Sequence, residues 1–357
     1  MSDNGPPSKR ANSKPQIASL AIDAMGGDNA PEAVLAGVDL SAERHPGAKF
    51  LLVGDQARIL PMLDAYPRAK KSCLIRHADS FIPGDMKPTM ALRMRDASMR
   101  LAIDAVAAGE VAGLVSAGNT GALMALAKIL VKTLPEIDRP ALGAIMPSAR
   151  GDVVMLDLGA NVACDSRNLV EFAIMGDAFA RAVLGLPNPS IGLLNVGSEE
   201  LKGDDRVRQA AEILRADAGI NFYGFVEGHD ITAGTVDVVV TDGFTGNVAL
   251  KTGEGALKLM RGLLKQVFTS SIPARLGYLL ARPALDRLRE WMDPRRYNGA
   301  ILLGLNGVVV KSHGGTDAMG FAHAVDVAMD MVTHGFTHQI REGVARLHTA
   351  ELTGSTP

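Results

Sequence analysis

Residues 238 to 255 read "VVVTDGFTGNVALKTGEG", and the fold turns on this stretch. Val238, Val239 and Val240 are β-branched and apolar, the composition of a strand covered on both faces. Asp242 and Gly243 end the strand; Gly243, Thr245, Gly246 and Asn247 then open a helix, with Lys251 one turn further on. A helix that begins with so little side chain leaves its first N–H groups bare. Such a start serves either a tight strand-to-helix turn or an anion held at the positive end of the helix dipole.

The same unit recurs in both directions from here. "IASLAIDAMGGDNAPEAVLAGV", "KFLLVGD", "VAGLVSAGNTGALMALAKIL", "DVVMLDLGANVACD" and "SIGLLNVGSEELKGDD" are each a short apolar run closed by Gly, Asp, Asn or Ser, with helical spacing beyond. Pro31 falls in a first helical turn, where a missing N–H is harmless. Strands alternating with helices predict a mostly parallel sheet with helices on both faces. In such sheets ligands bind beyond the carboxyl ends of the strands. The polar residues sit there: Asp23, Gly26, Gly27 and Asp28; Ser116, Gly118, Asn119 and Thr120; Asp157, Gly159 and Asn161; Asn195, Gly197 and Ser198; Asp242, Gly243 and Asn247. Five strand ends of one chemistry are expected to converge on one crevice.

With 357 residues, 47% hydrophobic and 21% charged, the chain has ample core for one large α/β unit. Its formal net charge of −2 exerts no general pull on nucleic acid, and none is expected as a partner. Cys73 and Cys164 are too few for a disulfide framework or a zinc cluster, which fits a reducing cytoplasm. Residues 1–15 lack an apolar signal segment and read as a disordered tail, 16–346 as a single catalytic domain, and 347–357 as a flexible tail. No run reaches the roughly 18 apolar residues of a membrane span.

Residues 256–300 break the pattern. Leu257, Met260, Leu264, Val267 and Phe268 share one helical face, and Pro283 is expected to open a further turn. Nine basic residues (Lys258, Arg261, Lys265, Arg275, Arg282, Arg287, Arg289, Arg295 and Arg296) stand against Asp286, Glu290 and Asp293. This basic amphipathic projection reads as a dimer helix pair, or as a dock for an acidic protein or an anionic membrane, with Leu279, Leu280 and Trp291 as its apolar contacts.

The chain contains no zinc-binding His-Glu-x-x-His, no nucleophile elbow and no Walker loop, and the glycines of "DAMGGDNAP" do not fit a dinucleotide fingerprint. No metal or cofactor is expected. Lys87 in "FIPGDMKPTMALRMR", Lys202 after "NVGSEEL", Lys251, and His313 in "VVVKSHGGTDA" could add charge or a proton at strand ends. Cys164 reads as a small buried residue. What these groups share is suitability for an anionic tetrahedral ligand: helix N-termini and cations to bind it, and amides to donate to an oxyanion.

Read together and in order, "IDAMGGDNAPE", "VSAGNTGALMA", "MLDLGANVACD", "LLNVGSEELKG", "TDGFTGNVALKTGEG" and "GLNGVVVKSHGGTDA" resemble the PlsX family of bacterial phosphate acyltransferases, over roughly residues 16 to 345. The resemblance implies a three-layer αβα fold with a mostly parallel, doubly wound sheet, like the isocitrate and isopropylmalate dehydrogenases, plus a projecting helical hairpin. It also implies attack of inorganic phosphate on the thioester of a fatty acyl group carried by acyl carrier protein. The acyl phosphate formed feeds glycerol-3-phosphate acylation in phospholipid synthesis. A homodimer without metal or nucleotide is expected, cytoplasmic but visiting the membrane where the downstream glycerol-3-phosphate acyltransferase resides. Expected substrate-binding residues are Asp23, Gly26, Gly27, Lys87, Gly118, Asn119, Thr120, Gly121, Lys202, Asp242, Gly243, Thr245 and Gly246, with the Gly118–Gly121 turn and the turn opening at Asp242 holding the phosphate. Asn161, Asn195, Asn247, Lys251 and His313 are candidates for the chemistry. The rival reading is a phosphotransacetylase-like enzyme acting on acyl-coenzyme A.

Overall fold

The computed structural model describes residues 19–135, 137–291 and 299–353, the side chains of 287–291 and 347–353 excepted. Within these residues the strands are β1 (Ser19–Asp23), β2 (Lys49–Gly54), β3 (Cys73–His77), β4 (Gly113–Ser116), β5 (Ala141–Ser148), β6 (Gly151–Leu156), β7 (Ile191–Leu194), β8 (Phe222–Val226), β9 (Val238–Val240), β10 (Ala300–Leu303) and β11 (Val308–Lys311). The helices are α1 (Glu32–Arg44), α2 (Gln56–Met62), α3 (Pro67–Ser72), α4 (Pro88–Ala91), α5 (Ser98–Ala107), α6 (Thr120–Leu130), α7 (Ser166–Leu184), α8 (Asp205–Ala216), α9 (Gly228–Ala233), α10 (Gly243–Thr269), α11 (Ile272–Trp291), α12 (Ala318–Thr333) and α13 (Phe336–Thr353). All the strands belong to one sheet, in the order β3-β2-β1-β4-β11-β10-β5-β6-β9-β7-β8.

The sheet consists of two parallel blocks joined by an antiparallel seam. β3, β2, β1, β4 and β11 run together, and so do β6, β9, β7 and β8. Between them β11–β10, β10–β5 and β5–β6 are antiparallel. Short connections at 149–150 and 304–307 replace the helical crossovers that parallel neighbours need. Three reversals leave the second block running opposite to the first. The carboxyl ends of β1, β4 and β11 therefore emerge at one end of the sheet, and those of β6, β9 and β7 at the other. Four strands lie between β4 and β9, about 24 Å at the usual strand spacing. This corrects the expectation that the five polar strand ends meet in one crevice: one chain holds two polar ends.

Alternating side chains fill the two layers flanking the sheet. Leu20, Ile22, Val154, Leu156, Val238 and Val240 face one way, into a continuous core beneath α1, α7 and α12. Ala21, Leu114 and Val309 face the other, beneath α5 and α6; Val153, Met155 and Val239 do so beneath α9 and the start of α10. The result is a three-layer αβα architecture. Helix α7 is its spine, buried over most of its length and begun by a capping box between Asp165 and Asn168. It lies so close to the sheet that a Cβ at Gly176 would stand 2.5 Å from Val238 Cγ1.

Helix α10 continues straight from β9, and α11 returns along it, the turn falling at Ser270 and Ser271. Phe268 meets Tyr278 edge-on at 5.6 Å. Pro283 lies inside α11 rather than opening a new turn. Leu257, Met260, Val267, Leu276, Leu279 and Leu280 are exposed, as are Lys258, Arg261, Lys265, Arg275 and Arg282. The side chains of Arg287, Arg289 and Trp291, and residues 1–18, lie outside the described residues. At the other terminus α13 runs to Thr353, through the first part of the stretch expected as a flexible tail. No helix among the described residues is long and apolar enough to cross a membrane.

Glu171 gives α7 a pH dependence. One of its oxygens accepts the Asp138 N–H at 3.1 Å; the other has no hydrogen bond and lies 3.5 Å from the Arg167 guanidinium. Burial pushes its carboxyl up from 4.5 to about 7. Between these values the folded state holds a proton that the unfolded chain releases, so stability falls as pH rises through this window. In Glu171→Gln that part of the fall should vanish. Tm measured from pH 4.5 to 8 in both proteins checks it: parallel curves would contradict the assignment.

Candidate active site

At the end formed by β6, β9 and β7, the buried Asp157 carboxylate organises the loops. Its Oδ1 accepts the N–H groups of Leu142 at 2.9 Å, Gly159 at 3.2 Å and Ala160 at 3.0 Å. Its Oδ2 accepts Asn161 N at 2.6 Å and Asn161 Nδ2 at 2.9 Å. Burial raises the Asp157 pKa while these donors favour its ionised form. Asn161 also donates to the Pro140 carbonyl at 2.8 Å, which commits its amide to the loop. Asn195 is held likewise, donating to the Lys202 carbonyl at 3.0 Å and accepting from the Val196 N–H at 2.9 Å.

Helix α10 starts against this loop, which explains its bare opening. A Cβ at Gly246 would stand 1.9 Å from the Asp157 carbonyl oxygen, and one at Gly243 2.6 Å from that of Asn161. The Gly243 N–H donates to the Asn161 carbonyl at 2.8 Å. Asp242 caps the helix, accepting the Thr245 N–H at 2.8 Å and its hydroxyl at 3.1 Å. Of the first three N–H groups, that of Phe244 has no such partner among the described residues. The expected phosphate cradle of backbone N–H groups over Asp242, Gly243, Thr245 and Gly246 is thus largely consumed by the turn itself. What remains on α10 is Asn247, exposed and with no side-chain hydrogen bond among the described residues, and Lys251 on the same face, 2.9 Å from Glu254.

A crevice of about 950 Å³ opens here. Asn195, Asp204, Arg206, Asp242 and Thr245 form its polar mouth; Met146, Leu194, Ile231, Val240 and Ala249 line its depth. Arg206 is the cation that sequence reasoning missed. Its guanidinium donates to the Cys164 carbonyl at 2.8 Å and pairs with Asp204, and the Asp242 charge also acts on it. The only signal was its place in the first turn of a helix that follows a strand-end loop. Lys202 is exposed at the adjoining loop, 2.8 Å from Glu199. The Cys164 thiol is pushed up to about 11 by burial, so it stays protonated and is no nucleophile at neutral pH.

The opposite end gathers the remaining candidates. Asp23 is fully buried, accepting Ser98 Oγ at 2.6 Å and Ser116 Oγ at 2.7 Å. Gly26 packs against Asp23 and the Gly118 N–H, and Gly27 against Ala117 and Gly314. Asn119 caps α6 through Ala122 N at 2.9 Å and donates to the Gly84 and Met86 carbonyls. Thr120 and Gly121 follow, and Pro88, next to Lys87, touches Gly121. His313 is exposed and accepts the Gly315 N–H at 3.2 Å. Lys311, also missed, is buried with its ammonium on the Ala117 and Ser312 carbonyls. Burial lowers its pKa to about 8 although Asp23 and Asp28 are near.

The fold is that of the phosphotransacylases. The phosphotransacetylase of Streptococcus pyogenes matches it with a TM-score of 0.61, over 88% of this chain and 94% of its own, at 18% identity. The phosphate acyltransferase of Granulibacter bethesdensis is 69% identical over 337 residues, 94% of this chain and 91% of that one. That of Gluconacetobacter diazotrophicus is 69% identical over 331 residues, 92% and 88% of the two chains. Residues 18–339 match the family described as fatty acid synthesis protein. The chain belongs to this family and is an acyltransferase, as its resemblance to the PlsX enzymes implied.

Two substitutions separate the roles on α10. Gly246→Ala should destabilise the fold by about 1–3 kcal/mol, because the Asp157 backbone must move. Asn247→Ala should change stability by no more than about 0.5 kcal/mol. Chemical denaturation of both checks the difference; a neutral Gly246→Ala would remove the packing explanation.

Proposed function

We propose that the protein transfers a long-chain fatty acyl group from the thioester of acyl carrier protein to inorganic phosphate, and that the crevice below β7 and β9 is where it does so. The observation that carries this reading is the pairing of an apolar depth with a mouth that holds the Arg206 guanidinium. Phosphate is already anionic near neutral pH, so no strong base is required. One of its oxygens attacks the thioester carbonyl carbon, the tetrahedral oxyanion collapses, and the carbon–sulfur bond breaks. The leaving thiol has a pKa of about 8.5 and departs as thiolate with modest help. Catalysis then consists of positioning and oxyanion stabilisation. Arg206 and Lys202 supply the charge for phosphate; Asn247, beside Gly159 at the start of α10 and outside the crevice lining, is assigned the oxyanion, and Lys251 adds positive potential. Asn161 and Asn195 hold the loops in place. His313, Lys87 and the Gly118–Gly121 turn lie at the other end of the sheet and take no part within one chain.

Helices α10 and α11 form the projecting hairpin of this reading. Its basic residues, Lys258, Arg261, Lys265, Arg275, Arg282, Arg287 and Arg289, suit an acidic carrier protein. Leu279, Leu280 and Trp291 suit an anionic membrane surface, where acyl phosphate passes to the downstream glycerol-3-phosphate acyltransferase. Residues 16–346 act as one catalytic domain, in a cytoplasmic homodimer that binds the membrane peripherally. The likeness to phosphotransacetylases supports a second reading, in which acyl-coenzyme A is the donor.

Acyl-phosphate formation from inorganic phosphate with palmitoyl-acyl carrier protein, and in parallel with palmitoyl-coenzyme A, decides between them. A preference for the carrier-bound substrate that salt weakens is expected; turnover with coenzyme A alone would establish the second reading. Asn247→Ala should lower kcat about 100-fold. Leu279→Asp with Leu280→Asp should abolish sedimentation with anionic vesicles, and unchanged sedimentation would refute membrane docking there.

A further inference from the structure

The crevice is deeper than its polar mouth needs. Met146 lines it from β5, while the mouth lies at the ends of β7 and β9. In the sheet order, β9 and β6 separate β7 from β5, about 14 Å across at the usual strand spacing. Met146 pairs with Val153, three residues back from the Gly143–Leu156 pair next to Asp157, about 10 Å along the strands. The apolar depth thus runs diagonally over the sheet for about 17 Å. Ile231 of α9 and Ala249 of α10 line it between these limits, and Thr252 and Gly253 of α10 border it further along that helix. Its inner surface is aliphatic, and the sheet face beneath it is the smallest of the three cores.

From this geometry we infer that the crevice measures the acyl chain, with Met146 as its end wall and Ala249 setting its bore. The inference rests on the proposed acyl transfer and adds the residues that set chain length. The thioester carbonyl lies at the mouth, beside Arg206, and the chain extends inward from it. A chain that ends short of Met146 leaves apolar wall uncovered; a longer one must displace the methionine or leave the crevice past Gly253. Methionine is suited to such a wall, since its unbranched thioether adjusts at small cost. Each methylene that gains or loses a place in the crevice changes kcat/KM by roughly fourfold.

The test measures kcat/KM of the full chain with octanoyl-, dodecanoyl- and hexadecanoyl-acyl carrier protein. Met146→Trp should lower the hexadecanoyl value at least about tenfold relative to octanoyl, whereas Met146→Ala should shift preference towards the longest chain. Ala249→Phe should impair all chains that pass it, with octanoyl the least affected. Met146→Ala keeps the test open should the bulkier variants misfold. Equal losses across the series, or an unchanged profile in Met146→Ala, would overturn the inference while leaving acyl transfer intact. Absence of acyl phosphate from every substrate with the unaltered protein would instead overturn the proposed function.

Discussion

The half of the sheet built on β6, β9 and β7 depends on one buried carboxylate. Asp157 stands at the end of β6 and accepts five hydrogen bonds, four from backbone or amide groups of the loop that follows and one from the start of β5. Without them those part-buried donors would lose a partner, at a penalty of up to about 1–3 kcal/mol each. The carbonyl of the same residue is the surface on which Gly246 rests. The loop after β6, the first turn of α10 and the start of β5 therefore take their positions from a single side chain and its backbone. Asn247, one residue beyond Gly246, is aimed by this stack without being part of it.

The other end repeats the device in different chemistry. Asp23 gathers the hydroxyls of Ser98 and Ser116 beside the backbone N–H of Met25, and thereby ties α5 and β4 to β1. Burial raises the pKa of both aspartates. The two ends differ in what surrounds the keystone. Around Asp157 an apolar crevice remains open, whereas around Asp23 the loops of β1, β4 and β11 interlock through Asp28, Asn29 and Gly314.

Much of this was legible in the sequence. "VVV" at 238 and 308 marks strands buried on both faces, and both are. The alternation of strand and helix gives the layered class, because side-chain periodicity records which surfaces are covered. It does not record direction. β5 and β10 carry the same apolar composition as their parallel neighbours, so the reversal, and with it the separation of the polar ends, is set by short connections whose sequences read as ordinary turns. Helix starts misled for a related reason: bare residues at 243–247 suit an anion and a close-packed turn equally well, and the Asp157 carbonyl that excludes a side chain there comes from a distant part of the chain. Arg206 escaped notice because an arginine after two aspartates looks like a solvated pair, and its approach to the Cys164 carbonyl exists only in the fold.

Helix α10 is a single element of 27 residues, about 40 Å long. Its first turn is locked to the Asp157 loop, and its last turns display Met260, Leu263 and Val267 to solvent. A rigid rod of this kind fixes both distance and phase. One residue added or removed within it would shift the exposed face by about 1.5 Å and rotate it by about 100° relative to the crevice. The length of α10 is therefore under tighter constraint than the identity of its exposed side chains.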